Sequence, residues 1–359
     1  MKKLSLAACA IGACISCHAQ SSLTIFGVVD TSVSRGIGAG GNRTLLSSSG
    51  NLSSKFAIRG IEDLGGGLAA SFWLEAGLNT DNGTGSTSNT NNQANGTVPA
   101  QNGGLVFNRR STVSLSGSWG EVRLGRDYTP QYWSQTIFDP FGTVGVGANQ
   151  VPVAGLGGTS TPTGARASNS IAYLFNSANP VGNRSFYAQS QVYLGENPSG
   201  APNHRDGSGG GLRVGYEADT FNLVAASGVT DYATGNIHVS NLGGSYASGP
   251  VRLMGEYNFD RISAPANRRG HGYLAGVVYR VGVGEIKAAF SSYRTDAAGS
   301  PHSSRIAVGY VHNLSKRTAL YGTVAEVHNH GGTSFALNSA IGRANATSSG
   351  FDVGIRHVF

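Results

Sequence analysis

The chain has 359 residues, of which 39% are hydrophobic and 13% are charged, and its formal net charge is +7. Its 54 glycines argue against a helix-rich protein, because glycine in a helix interior costs about 1 kcal/mol relative to alanine, and its 14 tyrosines and 14 phenylalanines argue against a disordered chain. The positive charge is mild and occurs in no dense run of Lys and Arg with interleaved aromatics, so nucleic acid is not an expected partner.

Residues 1–19 have the pattern of a secretory signal peptide. Lys2 and Lys3 precede an apolar stretch at residues 4–15, and CHA at 17–19 is a small-x-small cleavage site. The apolar stretch is too short for a membrane-spanning helix, which needs about 20 residues. We expect cleavage after Ala19, leaving 20–359 as a single domain. LAAC and IGAC resemble lipoprotein processing sites, but either would leave a very short apolar region.

All three cysteines lie inside this segment, at positions 9, 14 and 17. The exported chain would therefore contain none, and disulfides are not expected to hold its fold together.

Segments of about ten residues with alternating character follow along the chain. Phe56 and Ile58 alternate with Lys55, Ala57 and Arg59, so that one face is apolar and the other is polar. The same alternation occurs around residues 68–75, 112–116, 170–175, 212–217, 251–259, 305–310 and 351–359. These segments predict β-strands throughout.

The connections between these strands are alternately short and long. Short turns are predicted near residues 63–66, 118–120, 248–250 and 282–284, and long connections at 35–49, 80–103 and 128–165. Residues 80–103 are nearly all Asn, Gly, Thr and Ser, a composition that predicts a solvated loop. Short turns at one end and long loops at the other are typical of transmembrane β-barrels.

The pattern therefore predicts an all-β fold: a 16-stranded antiparallel transmembrane β-barrel. In hydrocarbon each unpaired backbone N–H or C=O costs several kcal/mol, and a sheet avoids this cost only by closing on itself. A soluble β-sandwich or β-helix of an adhesin is the alternative, in which one face would be buried and the other hydrated.

Five segments resemble the general porins of β-proteobacteria when they are taken in order. They are SSLTIFGVVD at 21–30, RGIEDLGGGL at 59–68, LGRDYTP at 124–130, NSIAY at 169–173 and VGIRHVF at 353–359. The resemblance implies long extracellular loops, a third loop folded into the lumen and a homotrimer. It also implies an outer membrane location in contact with lipid and lipopolysaccharide, and passage of small hydrophilic solutes and ions. Phe26, Trp73 and the Gly-rich stretch 143–163 depart from the family pattern.

A group of cations shares the polar face of strands 2, 4, 5 and 6, where neighbouring strands lie about 4.8 Å apart. The group, expected to form a basic ladder on one wall of the pore constriction, contains Lys55, Arg59, Arg110, Arg123 and Arg166. The resemblance also places a basic cluster on these strands. Scattered solvated charges or trimer contacts are the alternative.

Two acids are assigned to the same constriction. Glu75 has inward parity on strand 3 and is expected to pair with Lys55, Arg59 or Arg110. Asp139, in a DPFG sequence that resembles the tip of the porin third loop, is the only acid between residues 128 and 165.

Arg126 has the outward parity of its strand. A charge facing lipid costs several kcal/mol at depth, so a trimer interface is predicted, with a snorkelling arginine as the alternative.

The final strand ends in an alternating series of outward residues. Val353, Ile355, His357 and Phe359 match the terminal signal that the outer-membrane assembly machinery reads in the resembled family.

No motif points to catalysis, a cofactor or a metal site. Gly36, Gly38 and Gly41 match a dinucleotide fingerprint but no helix follows them. His328 and His330 have chelating spacing without a nearby Cys or carboxylate in the sequence.

The sequence thus predicts a non-enzymatic diffusion channel with a preference for anions. A substrate-specific channel, a non-conducting adhesin or receptor barrel, and an outer-membrane hydrolase are the alternatives. The channel hypothesis predicts measurable ion conductance, whereas an adhesin barrel would conduct no ions.

Overall fold

The computed structural model describes residues 21–98, 105–158, 161–176 and 185–359. These residues form a closed, antiparallel barrel of 16 strands, which confirms the predicted fold class. The predicted signal segment 1–19 lies outside the described residues.

The barrel strands, numbered in chain order, alternate in direction around the barrel. They are β1 (Ser22–Ile37), β2 (Lys55–Gly65), β3 (Leu68–Asn79), β4 (Arg110–Gly117), β5 (Gly120–Tyr128), β6 (Arg166–Phe175), β7 (Ser185–Tyr193), β8 (Gly209–Glu217), β9 (Phe221–Thr230), β10 (Ile237–Ser248), β11 (Val251–Ile262), β12 (Arg268–Val281), β13 (Gly284–Thr295), β14 (His302–Asn313), β15 (Thr318–His330) and β16 (Ser348–Val358).

The first strand closes the barrel. The beginning of β1 pairs with β2, from Ser22 opposite Ile61 to Val28 opposite Lys55, and the rest of β1 pairs with β16. The C-terminal residue extends this ladder, because Phe359 and Gly27 exchange backbone hydrogen bonds of 3.1 Å in both directions. A side chain at Gly27 would collide with the Phe359 ring. A glycine at this position therefore lets the last residue lie against β1.

The strands expose their apolar side chains and bury their polar ones, which is the reverse of the pattern in a soluble protein. On β11, Leu253, Tyr257 and Phe259 are exposed on the outer face, whereas Glu256 and Asp260 are buried on the inner face. The same arrangement recurs around the barrel and matches the predicted strand faces. The apolar outer surface and polar interior are what a hydrocarbon solvent selects.

The two ends of the barrel differ in the length of their connections. At the turn end, two residues join β2 to β3, β4 to β5, β10 to β11 and β12 to β13. At the loop end lie the long connections 38–54, 80–109, 129–165 and 331–347. The first of these contains a short strand, Arg43–Ser48, that folds back on β1.

The loop between β5 and β6, loop 3, contains helix α1 (Pro130–Ile137) and the short helix α2 (Gln150–Ala154). Within the described part of the chain, no helix is both long and apolar enough to cross a membrane. Helix α1 lies against β8, β9 and β10, and α2 lies against β12, β13 and β14. Loop 3 therefore folds into the barrel, as predicted, and covers the inner wall from β8 to β16.

Hydrogen bonds and apolar contacts hold loop 3 against this wall. The Val146 N–H donates to Asp352 at 2.7 Å, Gln135 donates to Asn258 at 2.8 Å, and Gln150 donates to Ser303 at 2.8 Å. Phe141 and Val146 pack in a buried cluster with Ala307, Val327 and Leu337, and Phe138 packs with Tyr187 and Val224. Two of the three buried apolar clusters of the described residues thus lie between a loop and the inside of the barrel.

The loop between β3 and β4, loop 2, differs from the prediction of a solvated tract. Asn92 is fully buried: its amide donates to the carbonyls of Ser168 and Leu194 at 3.0 and 3.1 Å, and its carbonyl oxygen accepts from the Ser168 N–H at 2.8 Å. The composition correctly indicated a lack of apolar burial. It did not reveal that amide side chains would instead satisfy backbone groups at the ends of β6 and β7.

We expect Asn92→Ala to destabilise the protein by about 1–3 kcal/mol, because it leaves buried backbone donors and acceptors without partners. Asn95→Ala, at an exposed position of the same loop, is the matched control. Thermal unfolding followed by circular dichroism should show a lower midpoint for the first variant alone. Equal midpoints for both variants would mean that loop 2 is not held by Asn92.

Candidate functional site

Strands β2 to β6 carry a concentration of charge on the barrel interior, opposite the wall that loop 3 covers. We call its cations the basic wall: Lys55, Arg59, Arg109, Arg110, Arg123 and Arg166. Glu75 on β3 lies between Ala57 of β2 and Arg110 of β4, and Trp73 lies between Arg59 and Thr112. Cross-strand register thus brings together the side chains that parity had assigned to one face.

Glu75 is the central acid of the basic wall. Its carboxylate is 2.7 Å from Arg109 Nε and 3.5 Å from Lys55 Nζ, and it accepts a hydrogen bond of 3.2 Å from Trp73. The expected partner Lys55 is therefore present. The closer partner, Arg109, was not predicted, because it precedes β4 and strand parity does not determine where its side chain points.

Arg123 is held between two further carboxylates. It lies 3.0 Å from Glu121 and 2.6 Å from Asp127, and Arg110 lies 3.7 Å from the same Asp127. Neither acid was assigned to the site from the sequence, although both share the inward parity of Arg123. The basic wall therefore contains six cations and, with Glu75, three interleaved carboxylates.

Aromatic rings support the cations that have fewer carboxylate neighbours. The Arg59 guanidinium lies 5.7 Å from the Trp73 ring and 5.9 Å from Phe26, and Arg110 lies 4.4 Å from Trp73. Such contacts position a guanidinium without neutralising it. Arg59 is exposed and has no ion pair among the described residues. The two departures from the family pattern, Phe26 and Trp73, thus meet at one arginine.

Arg166 lies in the basic wall, but its strand register differs from the one that the alternation predicts. A β-bulge between Ala167 and Ser170 shifts the register of β6, so that Arg166 pairs with Tyr128. Its guanidinium lies 4.1 Å from the Tyr128 ring, and its Nε donates to the Arg109 carbonyl at 2.8 Å. Tyr128 in turn contacts Tyr132 and Trp133 of loop 3. Arg166 therefore lies where the basic wall joins loop 3.

Asp139 does not present its charge to the opening, contrary to the prediction. It is 4% exposed, and its carboxylate accepts from the backbone N–H groups of Phe141, Thr143 and Asn149 at 2.8–3.0 Å. Burial raises the pKa of Asp139, against the opposing effects of these donors and of Arg305. Since residues 129–165 contain no other charged residue, loop 3 offers an uncharged surface to the basic wall.

Arg126 points to the outer face of β5, as predicted, but its own subunit covers it. Its guanidinium donates to the carbonyls of Asn108 and Asn89 at 2.6 and 3.2 Å and to Ser168 at 2.8 Å. Loop 2 thus supplies the partners that the sequence argument sought in a neighbouring subunit. A role for Arg126 at a trimer interface stays a prediction.

The four residues predicted as an assembly signal lie on the outer face of β16 and at the C-terminal residue that follows it. Val353 and Ile355 are exposed on the outer face, Phe359 is 39% exposed, and His357 contacts the Thr318 hydroxyl at 2.9 Å. Their recognition by assembly machinery stays a prediction.

Comparison with known proteins assigns this architecture to a family. A profile described as Gram-negative porin matches residues 5–332. The chain is also 35% identical to outer membrane porin protein 32 of Delftia acidovorans, over the full length of both chains. The chain belongs to the Gram-negative porin family.

Solved porin structures share the barrel. The anion-selective porin from Comamonas acidovorans superimposes with a TM-score of 0.81 and 33% identity, covering 95% of this chain and 100% of that one. The trimer form of OmpT from Vibrio cholerae superimposes with a TM-score of 0.65 and covers 94% and 99% of the two chains, but at 12% identity it shows the fold alone.

The predicted family, location and general function are thereby confirmed. The protein is an outer-membrane porin that forms a channel for passive diffusion. The expectation that it performs no catalysis stays a prediction.

We expect Glu75→Gln to lower the stability of this porin by about 3–5 kcal/mol, because it leaves Arg109 and Lys55 beside an uncharged group in a largely buried setting. Glu285→Gln is the matched control: its ion pair with Lys287 is 3.9 Å long and Glu285 is more exposed. Thermal unfolding in detergent should separate the two variants. A larger loss in the control would contradict this account of the basic wall.

Proposed function

We propose that this porin prefers anions, and that the basic wall on β2 to β6 bounds its constriction together with the uncharged surface of loop 3. The observation that carries the proposal is an imbalance of charge. The basic wall has six cations and only three carboxylates, those of Glu75, Glu121 and Asp127. The carboxylate of Asp139 in loop 3 is bound by backbone N–H groups of its own loop.

This imbalance of charge favours anions over cations in the constriction. Two unit charges 4 Å apart interact by about 4 kcal/mol at an effective dielectric constant of about 20, as near a protein surface. The carboxylates of the basic wall cancel part of its field, and the remaining positive charge lies in a narrow passage with low-dielectric walls, where fields are focused. Anions are therefore enriched there and cations are depleted.

The known relatives support the same direction. The Comamonas porin to which this chain is 33% identical is described as anion-selective. The proposed constriction residues are those predicted from the sequence, apart from the buried Asp139, with Arg109, Glu121 and Asp127 added by their contacts.

We also propose that the channel is a homotrimer whose interface includes the outer face of β1 to β5. Among the described residues, six tyrosines are strongly exposed: Tyr173, Tyr246, Tyr257, Tyr273, Tyr279 and Tyr310. All of them lie on β6 to β14. Tyrosine favours the boundary between lipid and water, so its absence from the exposed positions of β1 to β5 supports contact with protein there. OmpT of Vibrio cholerae, which shares the fold, forms a trimer.

We expect the double variant Lys55→Gln/Arg59→Gln to weaken the anion preference, because it removes two water-facing cations from the basic wall. The reversal potential across a KCl gradient in planar bilayers measures this preference. The effect should be largest near 0.1 M salt and fade near 1 M, where the Debye length falls from about 10 Å to about 3 Å.

The matched control is Lys316→Gln/Arg317→Gln, which removes the same two residue types from an exposed turn between β14 and β15. Its reversal potential should equal that of the unmodified porin. A cation-preferring unmodified channel, or equal shifts in both variants, would refute the assignment of selectivity to the basic wall.

The trimer proposal predicts site-specific cross-linking. A photoreactive amino acid at Val113, on the outer face of β4, should yield covalent dimers and trimers, and one at Leu253, on the outer face of β11, should yield none. The two positions are matched in exposure, at 55% and 52%. Cross-linked subunits from Leu253 alone would move the interface to the other side of the barrel.

A further inference from the structure

Two histidines from neighbouring strands meet on the outer face of the barrel at its loop end. His302, at the start of β14, is directly opposite His330, at the end of β15. Their rings are stacked, with centroids 4.6 Å apart and planes inclined by 16°. We call these two residues the histidine pair. Neutral imidazole is the commonest side-chain ligand of protein-bound metals, so two such rings in contact are a candidate metal site.

The spacing of His328 and His330 in the sequence indicates a different pair. Both side chains lie on the outer face of β15, but residues two apart on a strand are separated by about 7 Å. His328 also has other partners: its Nε2 lies 2.8 Å from Glu326 and its Nδ1 lies 3.3 Å from the Thr347 hydroxyl. The structure therefore pairs His330 with His302, which sheet register brings beside it.

A backbone carbonyl determines which nitrogen of His302 is free. Its Nδ1 lies 3.1 Å from the carbonyl oxygen of Ser300. A carbonyl oxygen can only accept a hydrogen bond, so Nδ1 carries the proton and the lone pair of the neutral ring is on Nε2. Metal-bound histidines are oriented in the same way, by donating their other ring N–H to a carbonyl or carboxylate oxygen. His302 thus already makes the outer contact that is typical of a metal ligand.

The backbone of the histidine pair is held by one hydroxyl group. Thr333 Oγ1 donates to the His302 carbonyl at 2.9 Å and accepts from the His330 N–H at 3.1 Å. Gly331 and Gly332, with φ of 64° and 94°, turn the chain between His330 and Thr333. Glycine adopts such φ values at little steric cost. The two positions that carry the imidazole rings are therefore fixed relative to each other.

The surroundings of the histidine pair leave its outer side open and positively charged. His330 is exposed, and in the part of the chain that the structure describes its ring makes no hydrogen bond. Arg294 on β13 pairs with His302 on the side away from His330. A neighbouring guanidinium repels a cation, so charge alone would not hold a metal ion here. The site therefore favours an ion that forms strong bonds to nitrogen.

The spacing of the two rings is compatible with one shared ion. A metal–nitrogen bond to histidine is about 2.0–2.1 Å long, so two nitrogens on the same ion are at most about 4.2 Å apart. The ring centroids of the histidine pair are 4.6 Å apart. A small rotation about the side-chain torsions therefore suffices to direct one nitrogen of each ring at the same ion.

We propose that the histidine pair binds a divalent transition-metal ion, with Cu²⁺ bound more tightly than Zn²⁺. Imidazole nitrogen suits both ions, and affinity in the first-row series is highest for Cu²⁺. Mg²⁺ and Ca²⁺ prefer oxygen ligands. Among the described residues no group of three or more His, Cys, Asp or Glu side chains is placed to hold an ion. The two histidines are therefore the protein ligands, and water completes the coordination.

The site joins β14 to β15 where the loop 331–347 begins. Leu337 of this loop packs in a buried cluster with Phe141 and Val146 of loop 3. A ligand that binds only the folded protein stabilises it, so a bound ion should raise the thermal stability of the porin. The proposal requires neither the anion preference nor the trimer, because the histidine pair faces away from the lumen.

The test is isothermal titration of the exported porin, purified without a histidine tag, with CuCl₂ and with ZnCl₂. His302→Gln and His330→Gln should each weaken Cu²⁺ binding at least about tenfold, since even loss of a residue that only orients a metal-bound histidine costs about 10- to 100-fold. Unchanged Cu²⁺ affinity in either variant would overturn the proposal.

The matched control is His238→Gln. His238 is an exposed histidine at the loop end of β10, and the residues opposite it are Val229 and Arg261. This variant should keep full Cu²⁺ affinity, and a loss equal to that of His330→Gln would assign binding to scattered histidines. His328→Gln should also keep it. A loss in the His328 and His330 variants but not in the His302 variant would refute the pairing across the strands.

Electron paramagnetic resonance of the Cu²⁺-loaded porin gives a readout that a merely structural role would not change. Hyperfine coupling should show two imidazole nitrogens in the unmodified porin and one in each single variant of the histidine pair. A signal without nitrogen coupling would identify an oxygen site and refute the proposal. Displacement of Cu²⁺ by excess Mg²⁺ would have the same meaning.

Thermal unfolding completes the test. Added Cu²⁺ should raise the unfolding midpoint of the unmodified porin and of His238→Gln, but not that of either variant of the histidine pair. An equal rise in all four proteins would place the ion elsewhere. The midpoint without metal shows whether each variant is folded, and the nitrogen coupling of the unmodified porin decides the proposal if a variant is not.

Discussion

The pairing of every backbone amide within a closed sheet is the constraint on which the rest of this structure depends. A hydrocarbon solvent offers no hydrogen-bonding partner to an exposed sheet edge, so β1 must divide its pairing between β2 and β16, and Phe359 must complete the ladder against Gly27. Closure also turns the polar faces of all strands toward one another. The interior is therefore a polar space that water, ions and a folded loop can occupy.

Loop 3 changes this space from an open cylinder into an asymmetric passage. Its helices and buried phenylalanines lie against β8 to β16, held by side chains such as Asp352, Asn258 and Ser303. The strands from β2 to β6 are left to form the other wall. The single acid of loop 3 is bound by backbone N–H groups of the same loop. The charge that lines the passage therefore comes chiefly from side chains on rigid strands, whose spacing is set by sheet register.

The charged groups of the basic wall hold one another in place. The basic wall is interleaved with Glu75, Glu121 and Asp127, which hold its arginines in place and limit their repulsion. A cluster of cations that is only partly neutralised suits ions in transit.

The sequence by itself determined the strands, their inner and outer faces, the closed barrel and the position of most of the basic wall, because a period of two along a strand translates directly into two faces. Parity also contained the information for Glu121 and Asp127. Only the tertiary structure decided the rest. The bulge between Ala167 and Ser170 placed Arg166 opposite Tyr128, Arg109 made the closest contact with Glu75, Asp139 bound the backbone of its own loop, and loop 2 covered Arg126. Arg126 keeps the outward direction that parity predicts and differs only in being covered, whereas Arg109, Asp139 and Arg166 lie in a loop or where a strand begins. There the backbone loses its two-residue period, and the direction of a side chain depends on distant residues that complete its hydrogen bonds.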